Sequence, residues 1–220
     1  MKIIGITGGI ASGKSTVSLY LQDTYKAYIF DADKEAKALL QSSFVKDKIL
    51  QAFPKLEDFS TTSIAQEVFK NSESQAKINN IIHPIISDLI LERINEKKDL
   101  HNIFVVDAAL IIESGIFEQH QKSGAKLILV IADEELRLNR ALHRGDLKEE
   151  TIKNRIRLQM KDDEKSKYSD YVVENNSSEL ELFSKIDQII TKIIWLNFSR
   201  YFLPPYSLSI VLLMLVLKIF

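Results

Sequence analysis

Four of the seven glycines in this chain fall between positions 5 and 13. Within that stretch, Gly8-Gly9-Ile10-Ala11-Ser12-Gly13-Lys14-Ser15 fits the spacing G-x-x-x-x-G-K-[ST]. The chemistry of that spacing is anion binding. Glycines allow successive backbone N–H groups to turn inward around phosphate oxygens, the N-terminus of the following helix adds partial positive charge, and Lys14 adds a full one. Nucleotide phosphates are therefore expected over Gly8, Gly9, Ala11, Ser12, Gly13 and Lys14, with the Ser15 hydroxyl available to Mg2+.

Phosphate binding alone does not define a reaction, so the remaining polar residues decide what could be done with the nucleotide. Asp31-Ala32-Asp33 follows a short apolar run. One of these carboxylates could accept a hydroxyl proton while an acceptor attacks a γ-phosphoryl group in line, and the other could orient magnesium-bound water. Capping the next helix is the competing role for Asp33. Asp107 directly follows Ile103 to Val106 and either supports the magnesium and substrate region or ends the strand. Glu113 lies further along the same segment as a candidate substrate contact. His83 precedes Pro84 and is either a substrate contact or a surface or capping residue. Arg137, Arg140 and Arg144 recur at spacings of three and four and so share one helix face. Arg155 and Arg157 follow. Such guanidiniums could close over phosphates and offset the charge that develops in transfer, or form a solvated face with Glu134, Glu135, Glu149 and Glu150.

These residues need a scaffold that brings strand ends together. Lys2 to Thr7, Ala27 to Phe30, Ile103 to Val106, Leu127 to Ile131 and a stretch near Tyr171 to Val173 are short apolar runs of the kind buried on both faces of a parallel sheet. Helical spacing separates them, over 14–25, from near Asp33, over 134–144, over 148–160 and over 178–194. The fold class expected is α/β: a P-loop parallel sheet with helices on both faces. Residues 1–44 and 102–194 are expected to form the nucleotide core, with an arginine-bearing helical segment at about 137–165 that would be the lid under the resemblance drawn below. Residues 45–101 carry apolar positions at helical spacing and read as a helical insert.

Composition excludes several classes. The chain has 220 residues, 45% hydrophobic and 27% charged, with 29 Lys and Arg against 30 Asp and Glu. It is a folded domain without a basic field for nucleic acid. The absence of cysteine removes disulfides, thiolate metal sites and cysteine nucleophiles. There is no H-E-x-x-H or G-x-S-x-G, and neither N-K-x-D nor the D-x-x-G of a GTPase switch occurs. The N-terminus lacks a secretory pattern, so a cytoplasmic location is expected. From Leu196 to Phe220, 17 of 25 residues are apolar and Arg200 and Lys218 are the sole charges. Residues 195–220 read as a hydrophobic tail. Pro204-Pro205 interrupts any helix long enough to span a bilayer, which leaves membrane contact through the tail as a minor alternative.

Taken together, the stretch from Thr7 to Thr16, Asp31-Ala32-Asp33, His83-Pro84, Arg140 to Arg144, Arg155 to Gln159 and Asp170 to Asn175 resembles the dephospho-CoA kinase family from Lys2 to about Ile194. The resemblance implies transfer of the ATP γ-phosphate to the 3′-hydroxyl of dephospho-CoA, with Mg2+, in a fold of nucleotide core, acceptor-binding helices and lid. By position, it implies that Ala11 to Thr16 wrap the ATP phosphates and that Asp33 is the base. Arg140 would belong to the lid, with Arg144 beside it, Asn175 would lie near the adenine, and His83 would face the acceptor. Asp31, Asp107 and Glu113 would complete the acceptor side. Two positions depart from the family pattern: Ala109 replaces a usual proline, and Thr61 appears where an arginine is usual. A P-loop kinase for another small hydroxyl or nucleotide acceptor is the alternative.

Overall fold

The computed structural model describes residues 1–54, 56, 63, 72–145 and 149–202. Five strands form one sheet: β1 (Lys2–Gly8), β2 (Tyr28–Asp31), β3 (Ile103–Asp107), β4 (Lys126–Ile131) and β5 (Tyr171–Glu174). Their spatial order is β2-β3-β1-β4-β5, and every pairing is parallel. Parallel strands need crossovers, and here helices supply them. They are α1 (Lys14–Tyr25), α2 (Ala32–Leu39), α3 (Ser43–Ala52), α4 (Ser72–Lys97), α5 (Glu118–Lys122), α6 (Glu134–Arg144), α7 (Glu149–Leu158), α8 (Asp162–Ser166) and α9 (Glu179–Phe202).

Alternate residues of each strand face opposite sides, so each side of the sheet acquires its own core. On one side Ile4, Ile6, Ile103, Val105, Ile128 and Val130 pack with Val17 and Leu21 of α1 and with Leu182, Ile186 and Ile190 of α9. On the other, Phe30, Phe104, Val106 and Leu127 pack with Val45 and Ile49 of α3 and with Ile78, Ile82, Ile86 and Ile90 of α4. The four α4 isoleucines recur every fourth residue, one apolar stripe on a 26-residue helix. The helices of the 45–101 stretch thus share the sheet's core.

Three local expectations change. β2 is shifted by one residue, to Tyr28–Asp31. The helix after it starts at Ala32, and its N-cap is Asp31, whose carboxylate accepts from Lys34 N–H at 2.9 Å. Asp33 is therefore not the cap. The last helix runs past 194 to Phe202. The Thr61 departure and tail residues 203–220 lie outside the described residues. Among the described residues, no helix is long and apolar enough to cross a membrane.

Candidate active site

Strand register brings the chemistry to one edge. Ile6 of β1 and Asp31 of β2 both sit opposite Asp107 of β3, and Gly8 sits opposite Val130 of β4. The carboxyl ends of the strands are where open α/β sheets bind ligands. Beyond β1 the chain turns through Ala11 at φ 58 and Gly13 at φ 101 before entering α1. Alternating hands of this kind point backbone N–H groups into a concavity. At Gly13 an added Cβ would be strained by the positive φ and would overlap the Asn175 amide. At Gly9 it would meet the Arg137 guanidinium at 2.8 Å. The loop is also held from outside: Asn175 Nδ2 donates to the Ser12 carbonyl at 2.8 Å, and Ile10 N–H donates to Gln159 Oε1 at 3.0 Å.

Lys14 reaches across the strand ends to pair with Asp107, and its Nζ is 3.9 Å from Asp33 Oδ2. Asp107 is 5% exposed and also accepts from Ser18 Oγ at 2.6 Å. Its carboxylate serves the lysine and the first turns of α1. With three donors on one ammonium, Lys14 can keep Asp107 and still reach a phosphate oxygen. Asp33 has a side chain 46% exposed, and its Oδ2 accepts from Ala109 N–H at 3.1 Å. Burial pushes its carboxyl above the usual range, against the pull of Lys14 and of the Ala109 N–H, with Asp31 and Asp107 pushing the same way as burial. A partly exposed carboxylate made more basic beside Lys14 is suited to take a proton.

Residues of α6 and the segment just after β5 complete the other wall. Arg140 Nη2 donates to the Asn175 carbonyl at 3.0 Å, and Arg137, 7% exposed, pairs with Asp162 at 3.1 Å. Ala11, Gly13, Thr16, Arg140, Arg144 and Asn175 line one cleft of about 460 Å3, the size range of small-molecule sites. Among the described residues, Ser12 Oγ, Arg137 Nε and Arg140 Nη1 are buried without hydrogen-bond partners, and of the three residues Arg140 lines this cleft. Each such atom carries a desolvation penalty of about 1–3 kcal/mol until a partner arrives. An anion with acceptor oxygens has the chemistry to meet such a donor at Arg140, so the cleft residues fit nucleotide phosphates. Ser15, exposed in the first turn of α1, is a hard oxygen donor of the kind Mg2+ accepts alongside phosphates and water.

The remaining candidates lie further apart. Glu113 pairs with Lys165 at 3.1 Å. His83 sits in mid-α4 before Pro84, half-buried, with burial holding its ring below the usual imidazole range. Among the described residues no hydrogen bond or ion pair joins it to Lys14, Asp33 or Asp107. The arginine face does not pair with Glu134 or Glu135 in any described ion pair; Arg137 and Arg140 turn inward to Asp162 and Asn175 instead. Ser18, Gln159 and Lys165 have site contacts that spacing does not single out as chemistry. The Arg155 to Gln159 stretch carries a family signal, whereas Lys165 sits among acids and lysines like any surface residue.

A glycine-rich nest at the end of β1, a lysine between Asp107 at the end of β3 and Asp33 in the first turn of α2, and an arginine-bearing helix beside them on a five-stranded parallel sheet define a P-loop kinase. The dephospho-CoA kinase family model matches residues 2–181. The chain belongs to the dephospho-CoA kinase family. A dephospho-CoA kinase of Fusobacterium nucleatum is 38% identical over 192 residues, covering 84% of this chain and 95% of that protein. Among solved structures, a Thermus thermophilus protein superposes with a TM-score of 0.74 at 26% identity over 87% of this chain and 97% of its own. A Campylobacter jejuni dephospho-CoA kinase gives 0.60 at 29% identity, covering 90% of this chain and all, 100%, of its own.

Proposed function

We propose that this protein transfers the γ-phosphoryl group of ATP to the 3′-hydroxyl of dephospho-CoA, giving coenzyme A and ADP, the last step of coenzyme A synthesis. The observation that carries the reading is Asp33, oriented by Ala109 N–H with its Oδ2 3.9 Å from the Lys14 ammonium. In this reading Asp33 takes the proton of the attacking hydroxyl. Lys14 and the N–H groups from Ala11 to Thr16 hold the phosphates in line. Arg140, with Arg144 nearby, meets the charge that develops on the transferring group. Ser15 holds Mg2+, which when bound with the nucleotide neutralises charge on the phosphates. Asp107 keeps Lys14 at the strand ends, Asp31 caps α2 at the acceptor side, and Asn175 borders the adenine side of the cleft. His83 and Glu113 face the acceptor. A small-molecule acceptor, no nucleic-acid partner and a cytoplasmic location belong to the same proposal, as does the division into core, insert, lid and tail.

The test is a coupled assay of ADP release with ATP, Mg2+ and dephospho-CoA, and product analysis for a 3′-phosphate. Turnover of dephospho-CoA with saturation is expected. Transfer to a different small hydroxyl or to a nucleoside monophosphate, with none to dephospho-CoA, would retain the kinase and reject the acceptor.

A further inference from the structure

We infer that Lys165 is a positioning residue for phosphoryl transfer, holding through Ala109 the carboxylate that takes the acceptor's proton. The inference rests on the role given to Asp33 above. Lys165 lies on α8, and its residue exposure is 0%. A lysine rarely gives up its hydration entirely, and does so only where partners replace the lost water. Two partners are present: Glu113 Oε1 at 3.1 Å and the carbonyl of Ala109 at 3.2 Å. The Thr7 hydroxyl donates to the same carbonyl at 3.1 Å.

Ala109 is the residue whose N–H donates to Asp33 Oδ2 at 3.1 Å. One side of this residue is therefore clamped by Lys165 and Thr7, and the other aims the carboxylate. The preceding residue, Ala108, is tied to β1 by its N–H donating to the Ile6 carbonyl at 3.1 Å. Ala109 itself is the first residue beyond that tie. With a proline there, ring closure would fix φ and remove the N–H. With alanine, φ is less restricted than in proline and the N–H is present, so contacts to the carbonyl and N–H can hold the backbone. Lys165 supplies one such contact with a full positive charge, which strengthens its hydrogen bond to the carbonyl.

Asp162, three residues earlier on α8, pairs with Arg137, whose guanidinium packs against Gly9. The same short helix is therefore linked to Gly9 through Asp162 and Arg137 and to Asp33 through Lys165 and Ala109.

The test compares full-length wild type, Lys165→Met, Asp33→Asn and the double variant in single turnovers with ATP, Mg2+ and dephospho-CoA. ATP affinity is measured by titration and folding by thermal melting. Lys165→Met is expected to slow transfer about 10- to 100-fold, the scale on which an ångström of misplacement acts, with ATP affinity close to wild type. In the Asp33→Asn background the same substitution is expected to change the rate less than about twofold, because the route it acts through is already cut. Lys165→Arg, which keeps the charge and a donor, should recover part of the rate. Equal losses in both backgrounds, or a parallel loss of ATP affinity, would overturn the inference. If Lys165→Met fails to fold, Lys165→Gln carries the same comparison: additive losses overturn the inference and non-additive ones support it. A wild type that never phosphorylates dephospho-CoA overturns the functional proposal, and this inference with it. An active wild type with additive losses overturns the role of Lys165 alone.

Discussion

Asp33 occupies a compromise between stability and reactivity. Burial raises its pKa, so the folded protein favours the protonated form more than the unfolded chain does. The associated stability is fully present below the ordinary carboxylate value of about 3.9 and is lost as pH rises through the higher folded value. Asp33→Asn should therefore melt above wild type at pH 7, read by calorimetry. The same substitution should lower turnover roughly 10²-fold or more with ATP affinity nearly unchanged, as loss of a general base does. Matching losses of affinity and rate would assign Asp33 to the metal instead. In wild type, the rate should rise with pH along a limb above the usual aspartate range, because the base must be ionised; a pH profile of single-turnover rates checks this.

At the scale of elements, α6 carries three arginines, of which the proposed function sets Arg140 and Arg144 against the nucleotide. Arg137, Arg140 and Arg144 lie on one face, but their tertiary surroundings assign them different partners. Arg137 is held by Asp162 beneath the loop, Arg140 binds the Asn175 carbonyl, and Arg144 lines the cleft. Arg140 has one terminal nitrogen buried without a partner among the described residues, and in the proposed function the transferring phosphoryl group supplies the charge for it to meet. Arg140→Ala should reduce the single-turnover rate at saturating ATP by about 10²-fold, the loss typical of removing one donor to developing charge. An unchanged rate would exclude that role. A glycine requirement also belongs to this scale. Gly13→Ala brings a Cβ onto the Asn175 amide at φ 101, so the loop must reshape and ATP affinity should fall, read by the same titration.

For the molecule as a whole, the sheet with its two cores is the rigid body against which these contacts are set. Ile186 is fully buried between α9 and the sheet, on the face that also carries α1. Ile186→Ala should destabilise folding by about 2–5 kcal/mol, measured by urea denaturation. Activity of the folded fraction should remain near wild type, because the site edge is not touched. Tyr20 and Tyr25 of α1 both donate to Asp187 of α9, at 2.7 and 2.8 Å, which ties the helix that follows the phosphate loop to the last helix.

What the chain could determine unaided was whatever depends on neighbours in sequence. Glycine spacing around Lys14 encodes the nest because backbone sterics are local, and five apolar runs encode a parallel sheet because both faces of each strand must be buried. The pair Asp31 and Asp33 could be marked by the same logic as carboxylates near a strand end, but the choice between them came only from the family resemblance. The choice of Asp31 as the cap required the real end of β2, one residue later than the apolar run suggests. The partners of Lys14, Arg137, Arg140 and Lys165 lie 93, 25, 35 and 52 residues away in the chain, at Asp107, Asp162, Asn175 and Glu113. Only folding decides which charged groups lose their water together, and a cation among acids reads as solvated until the tertiary structure buries it.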